Sequence, residues 1–200
     1  MPRTFLVNRV IQLLLMFLFI VNVGEGFVAP IYAVFVTRSI SGATLSTVGF
    51  AFALLAIVKS LLQVPIASRI DKHKGERDDL MVMIVGAVLG MLVSLLLVFV
   101  STSWQLYGVS VISGVASACL MASYYALFAR HADKGSQGFE WSLFSVWGLT
   151  LSAALGGAVG GVIADAVGFR TTFLLAAACY LLATLLLLVL YPLLDKKEGH

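Results

Sequence analysis

Six apolar blocks, at roughly 10–36, 46–68, 80–101, 105–129, 141–164 and 171–194, take up most of the chain and constrain it more than any other feature. Each is about 20 residues or longer, and at about 1.5 Å of rise per residue such a helix crosses the roughly 30 Å of hydrocarbon in a bilayer. Backbone groups in lipid have no water to bond and must be satisfied within the span. The blocks lack the alternating polarity of barrel strands, so they read as helices. With 60% hydrophobic and 12% charged residues, the chain cannot build the charged shell of a soluble domain. The sequence predicts an all-α, polytopic membrane protein with one six-helix domain over 1–200. Its polar connectors fall at 37–45, 69–79, 101–104, 130–140 and 165–170.

Basic residues orient the spans. With the N-terminus inside, the cytoplasmic side carries Arg3, Arg9, Arg69, Lys72, Lys74, Arg77, Arg130, Lys134, Lys196 and Lys197, against Arg38 and Arg170 outside. The positive-inside rule then places both termini in the cytoplasm and the chain in the cell (inner) membrane. Arg3 and Arg9 precede the first block as in a signal peptide, but the apolar run continues past Pro30 to Val36 with no clear cleavage site, so it is kept as a span. The net charge of +3 is dispersed rather than gathered into a patch, which argues against a nucleic-acid partner. Cys119 and Cys179 lie in apolar runs without CxxC spacing and read as packing residues. His73 and His131 fall in cytoplasmic connectors and His200 is terminal, so no histidine serves an intramembrane hydrolase or metal site. No GxxxxGK phosphate loop is present. The expectation is a non-enzyme with no cofactor and no metal, surrounded by lipid.

Intramembrane polar residues mark the candidate site. Glu25 lies about 22 Å along the first helix, flanked by Gly24 and Gly26 with Pro30 a turn beyond. Burying a carboxylate in lipid is costly, so it is expected to face a cavity, the alternative being a permanently protonated Glu hydrogen-bonded to a neighbouring helix; the glycines and proline are expected to weaken the helix there. Asn22, Ala29 and Tyr32 share its face. Lys59 lies about 13 Å from the inner end of the second helix, with Gln63 one turn below it. It suits an anionic group, a counter-charge to Glu25, or simple snorkelling to the headgroups. Ser110, Ser113, Ser117 and Tyr124 form a stripe on the fourth helix, which equally suits helix packing; Tyr124 and Tyr125 are candidates for stacking on a solute. The third and sixth helices are nearly devoid of polar side chains and are expected at the periphery, with the other four lining an interior surface.

Two segments carry a family resemblance. Ala67-Ser-Arg-Ile-Asp71-Lys72-His-Lys-Gly75-Glu-Arg77 is similar to the signature loop between the second and third helices of the major facilitator superfamily, G-x-x-x-D-[RK]-x-G-x-[RK]-[RK]. Ala67 replaces a glycine and one residue is added before Gly75. Gly160-Gly161-Val-Ile-Ala-Asp165-Ala-Val-Gly168-Phe169-Arg170-Thr-Thr-Phe173 resembles that superfamily's GG-x-x-x-D-x-x-G-[FW]-R-x-x-F segment between helices five and six. Ser152 to Gly161 resembles the antiporter motif G-x-x-x-G-P-x-x-G-G in part, with Ser152 for the first glycine and Gly157 for the proline; close packing through Gly156, Gly157, Gly160 and Gly161 is the simpler reading. The arginine that such antiporters carry on the fourth helix, four residues before a glycine, is Ser110 here.

The resemblance implies a twelve-span transporter built of two six-helix halves, of which this chain supplies one. A parallel homodimer would cover the polar faces of the half; the rival is the amino-terminal half of a longer transporter. It also implies secondary transport of a small solute by alternating access. Proton coupling through Glu25 is then the economical form, and a uniporter or a non-transporting scaffold are the alternatives. In that family the loop-two aspartate docks on a helix of the opposite half. Asp71, Gly75 and Arg77 are therefore expected to gate the cytoplasmic side, with Asp71 at the start of the partner's fifth helix and Arg77 orienting it.

Overall fold

The computed structural model describes residues 7–72 and 75–198; Arg3, His73, Lys74 and the last two residues lie outside them. The elements are α1 (Arg9–Val28), α2 (Tyr32–Ser39), α3 (Leu45–Lys72), α4 (Glu76–Leu97), α5 (Ser103–His131) and α6 (Gln137–Leu143). A π-helical stretch (Phe144–Leu151), α7 (Ser152–Val167) and α8 (Phe169–Glu198) complete the chain. They form six helices long and apolar enough to cross a membrane: α1 with α2, α3, α4, α5, α6 through α7, and α8.

Local chemistry sets the ends. Asn8 caps α1 by accepting from the Val10 amide, and Thr102 with Gln105 forms a capping box at α5. The first span breaks after Val28 rather than at its glycines, because Pro30 has no amide to donate and crowds the preceding turn. Helices overrun the connectors expected from polarity. Arg69, Asp71 and Lys72 end α3, Glu76 to Asp79 begin α4, and His131 ends α5 as a buried residue instead of lying in a loop. The last connector shrinks to Gly168, whose φ of 84° is left-handed and suits glycine.

The main contacts run α3 to α5, α5 to α4, α4 to α8, α8 to α1 and α1 to α7. This overturns the expected periphery: the spans of α3 and α7 are 17% and 22% buried, whereas those of α4 and α8 are each 39% buried and pack on each other. Few polar side chains on a helix do not push it outward when small residues let its neighbours approach. Gly86 of α4, for instance, faces the backbone of Leu120 with no room for a Cβ.

Two apolar cores hold the bundle. At the end that carries Arg69 and Arg130, here the basic end, α1 residues such as Ile11, Leu14 and Leu18 pack on Met83, Leu127, Leu187 and Leu194. At the opposite end Val36, Phe35, Leu106 and Phe173 form the second core. Tyr124 belongs to the first. It is fully buried, its ring stacked 5.7 Å from Phe128 and 6.5 Å from Phe17. It is therefore not exposed to a solute, because its side of α5 turns toward α1 and the Phe144 ring.

Candidate functional site

Between the two cores α1, α3, α4 and α5 leave a cavity of about 340 Å³, with Tyr180 of α8 in its wall. Four of the candidates meet there: Glu25, Tyr32, Lys59 and Ser117. Ser110 and Ser113 line it as well. Most other lining atoms are apolar, and a few convergent polar groups in an apolar cleft of several hundred cubic ångströms is the usual form of a small-molecule site.

The remaining candidates lie elsewhere. Asn22 donates to the Leu18 carbonyl at 3.0 Å, one turn back on its own helix. Gln63 lies one turn nearer the basic end than Lys59, in a shallow outer groove of α3 with Ser60 and Asp71. The cavity reaches along α3 only as far as Lys59, which leaves Gln63 beyond it.

Glu25 is exposed toward the cavity, and its Oε1 accepts a hydrogen bond from the Tyr180 hydroxyl at 2.7 Å. Among the described residues no ion pair joins Glu25 to Lys59. The cavity therefore presents an acidic and a basic side chain on different walls. Tyr32 packs its ring 5.1 Å from Phe52 and lies beside Ser110. The Ser110 hydroxyl also donates to Leu106 at 3.0 Å, within its own helix. Tyr180 was not among the sequence candidates. The available signal was a phenol on a helix of leucine and alanine, because a buried Tyr hydroxyl needs a partner.

The glycines flanking Glu25 are notches rather than weak points. A Cβ on Gly26 would lie 2.9 Å from the Gly156 Cα, and one on Gly160 would lie 2.4 Å from the Phe27 Cα. Gly156 and Gly160 thus let α7 touch α1 backbone to backbone. Gly157 and Gly161 do not take part: a Cβ on the first would meet nothing nearer than 4.0 Å, and one on the second would meet open space. The four glycines fall on two faces of α7, and only one of those faces meets α1.

At the basic end the expected gate residues are spread out. Asp71 is exposed on the last turn of α3, Gly75 precedes α4, and the Arg77 guanidinium lies 5.4 Å over the Tyr191 ring of α8. A second set of charges sits deeper. Arg130 donates to the fully buried Asp79 and to the Ile70 carbonyl at 3.3 Å, so one cation ties the ends of α3, α4 and α5 together. His131 Nε2 lies 3.6 Å from Glu76. Glu140 is buried and accepts from the Asp133 amide and the Ser136 hydroxyl, both at 3.1 Å, which closes the turn between α5 and α6.

The family model of the Major Facilitator Superfamily matches residues 14–200. The chain belongs to that superfamily. It is 27% identical over 84% of its length to an uncharacterized MFS-type transporter of Methanocaldococcus jannaschii, covering 42% of that protein. It is 26% identical over 96% of its length to the tetracycline resistance protein, class H, of Pasteurella multocida, covering 46% of it. With the multidrug resistance protein MdtG of Dickeya zeae it shares 27% identity over 80% of the chain and 38% of that protein. The chain thus spans less than half the length of the curated relatives it matches. Its six helices and its superfamily make it a multi-pass membrane protein of a transporter family.

Proposed function

We propose that the chain is a six-span half of a secondary-active transporter for a small solute in the cell (inner) membrane. A second copy, packed in parallel, completes it. Alternating access would open the shared cavity first to one side and then to the other. The observation that carries this reading is the cavity itself, lined at mid-span by Glu25, Lys59, Tyr32 and Ser117 between two apolar cores. An ionisable pair left unneutralised in a bilayer is costly unless it faces water or a ligand. The exposed spans of α3 and α7 supply surface for the partner. Glu25 is the proton carrier, since a carboxyl group can exchange a proton for a cationic solute at one position.

Proteoliposomes test it. With an imposed pH gradient and tetracycline or ethidium as the probe, the wild type is expected to drive net movement and Glu25→Gln to lose the gradient-driven part while keeping its fold. Full gradient-driven movement in Glu25→Gln would sink proton coupling through this residue. A uniporter is the second reading, favoured by Ser110 standing where the resembling antiporters carry arginine; it expects probe movement down its own gradient that ignores pH. Probe movement that requires a different six-span unit would replace the homodimer by an amino-terminal half. A scaffold moves no probe under either condition.

A further inference from the structure

Glu25 belongs to α1, yet the group that holds its side chain comes from α8, 155 positions later in the chain. The Tyr180 ring is 7% exposed and its hydroxyl reaches Glu25 Oε1 at 2.7 Å. Two glycines make the approach possible. A Cβ on Gly90 of α4 would fall 2.3 Å from one ring carbon of Tyr180 and 2.6 Å from another, so any side chain there displaces the ring. A Cβ on Gly24, next to Glu25, would fall 2.9 Å from the Cys179 Cβ, so glycine there lets α8 lie against α1 beside the carboxylate. Three spans thus give up side-chain volume or contribute a group at one point. Among the described residues no other side chain donates to Glu25.

We propose that Tyr180 is the positioning residue of the Glu25 site: its hydroxyl holds one carboxylate oxygen against the sixth span and leaves the other to meet protons and cationic groups in the cavity. The inference rests on reading Glu25 as the functional carboxylate of the cavity. The donated bond occupies Oε1, so the Tyr180 hydroxyl decides which carboxylate oxygen is left facing the cavity. It also fixes the carboxylate plane, which keeps the free oxygen at one place instead of letting it sweep the cavity. Few other groups compete for that control. The ionisable neighbours facing the site are Lys59 from α3, Tyr32 from α2 and Cys179 from α8 beside Gly24. From α4 and α5 the described lining brings serines, glycines and apolar residues.

Dicyclohexylcarbodiimide reads the arrangement without a solute. The reagent partitions into membranes and adds to a protonated carboxyl group. The acid proton passes to a carbodiimide nitrogen as the carboxyl oxygen bonds the central carbon, leaving an adduct that intact-mass spectrometry counts. Glu25→Gln supplies the blank for all other carboxyls. Tyr180→Phe keeps the ring and its packing but removes the donor; because a hydrogen bond donated to a carboxylate favours its charged form, the pH profile of Glu25 labelling is expected to move about one pH unit toward alkaline, roughly tenfold faster labelling on the alkaline limb. Gly90→Ala, which forces the intact Tyr180 ring aside, is expected to move the profile in the same direction. Superimposable profiles in the wild type and Tyr180→Phe would overturn the proposal. So would a rise by the same factor at every pH, because that reports access to Glu25 rather than its protonation. Failure of the underlying reading shows separately: displaced labelling profiles with unchanged probe transport in Glu25→Gln would remove Glu25 from transport and leave its control by Tyr180 standing.

Discussion

Arg130→Met is the most demanding test of how the basic end is held. Asp79 has no exposed side-chain surface, and the side chain of Arg130, whose guanidinium serves its Oδ2, is 28% exposed. Asp79 Oδ1 has no hydrogen-bond partner among the described residues, so Arg130 carries the compensation for this carboxylate. Removing one partner of a buried pair typically costs about 3–5 kcal/mol, and the partial exposure of Arg130 places this case at about 3 kcal/mol. Asp79→Asn removes the charge that needs compensating and leaves Arg130 its bond to Ile70 and access to water, so about 1–2 kcal/mol is expected. The double variant is expected near 2 kcal/mol rather than near the sum of about 4–5 kcal/mol, because the asparagine no longer requires the cation. The assay is equilibrium unfolding in mixed micelles titrated with dodecyl sulfate. Cys119 and Cys179, both free and half-buried, report unfolding through a thiol-reactive dye. If Arg130→Met lies within about 1 kcal/mol of the wild type, or if the two losses simply add, Asp79 does not depend on Arg130 and the reasoning is wrong.

The other predictions follow from packing and from the gate. Gly156→Ala sets a Cβ 2.4 Å from the Val23 carbonyl oxygen and is expected to destabilise by about 1–3 kcal/mol, whereas Gly161→Ala meets open space and should stay within about 0.5 kcal/mol in the same titration. Equal effects at the two positions would contradict the one-sided contact of α7 with α1. Tyr124→Phe removes a buried hydroxyl that has no partner among the described residues, and is expected to be neutral or stabilising by up to about 1 kcal/mol with probe transport unchanged. A loss of probe affinity in this variant would return Tyr124 to the solute site. For the gate, if the proposed parallel dimer forms, Asp71→Asn should shift it toward the state open on the basic side; spin-label distances between protomers that match the parent's under closing conditions would leave Asp71 a solvated charge.

Much of this protein is legible from hydrophobicity and charge. The six spans can be read because a bilayer imposes a minimum apolar length on any helix that crosses it, and residues between spans have no such requirement. Glu25 and Lys59 could be picked out for the same reason: lipid penalises them so heavily that a cavity is the economical surrounding, and the structure places both on one. Where the helices end was less legible, since Arg69, Asp71 and Glu76 are polar and helical at once. A polar side chain at a membrane surface has no reason to end a helix whose backbone bonds are already made.

The sequence by itself determined the number of spans, the superfamily signature and the depth of the two intramembrane charges, all of which depend on distance along one helix. The tertiary structure alone decided which faces meet. Tyr180 reaches Glu25 because Gly90 vacates the volume of its ring. Tyr124 turns into an aromatic core although it lies two turns from Ser117 on a helix that lines the cavity. Gly156 and Gly160 meet α1, while Gly157 and Gly161, one residue on, do not. A rotation of about 100° per residue separates neighbours on a helix, so a contact depends on how each helix is turned toward the next. That rotation is set by which side chains fit together across the interface, and no single span contains both halves of the fit.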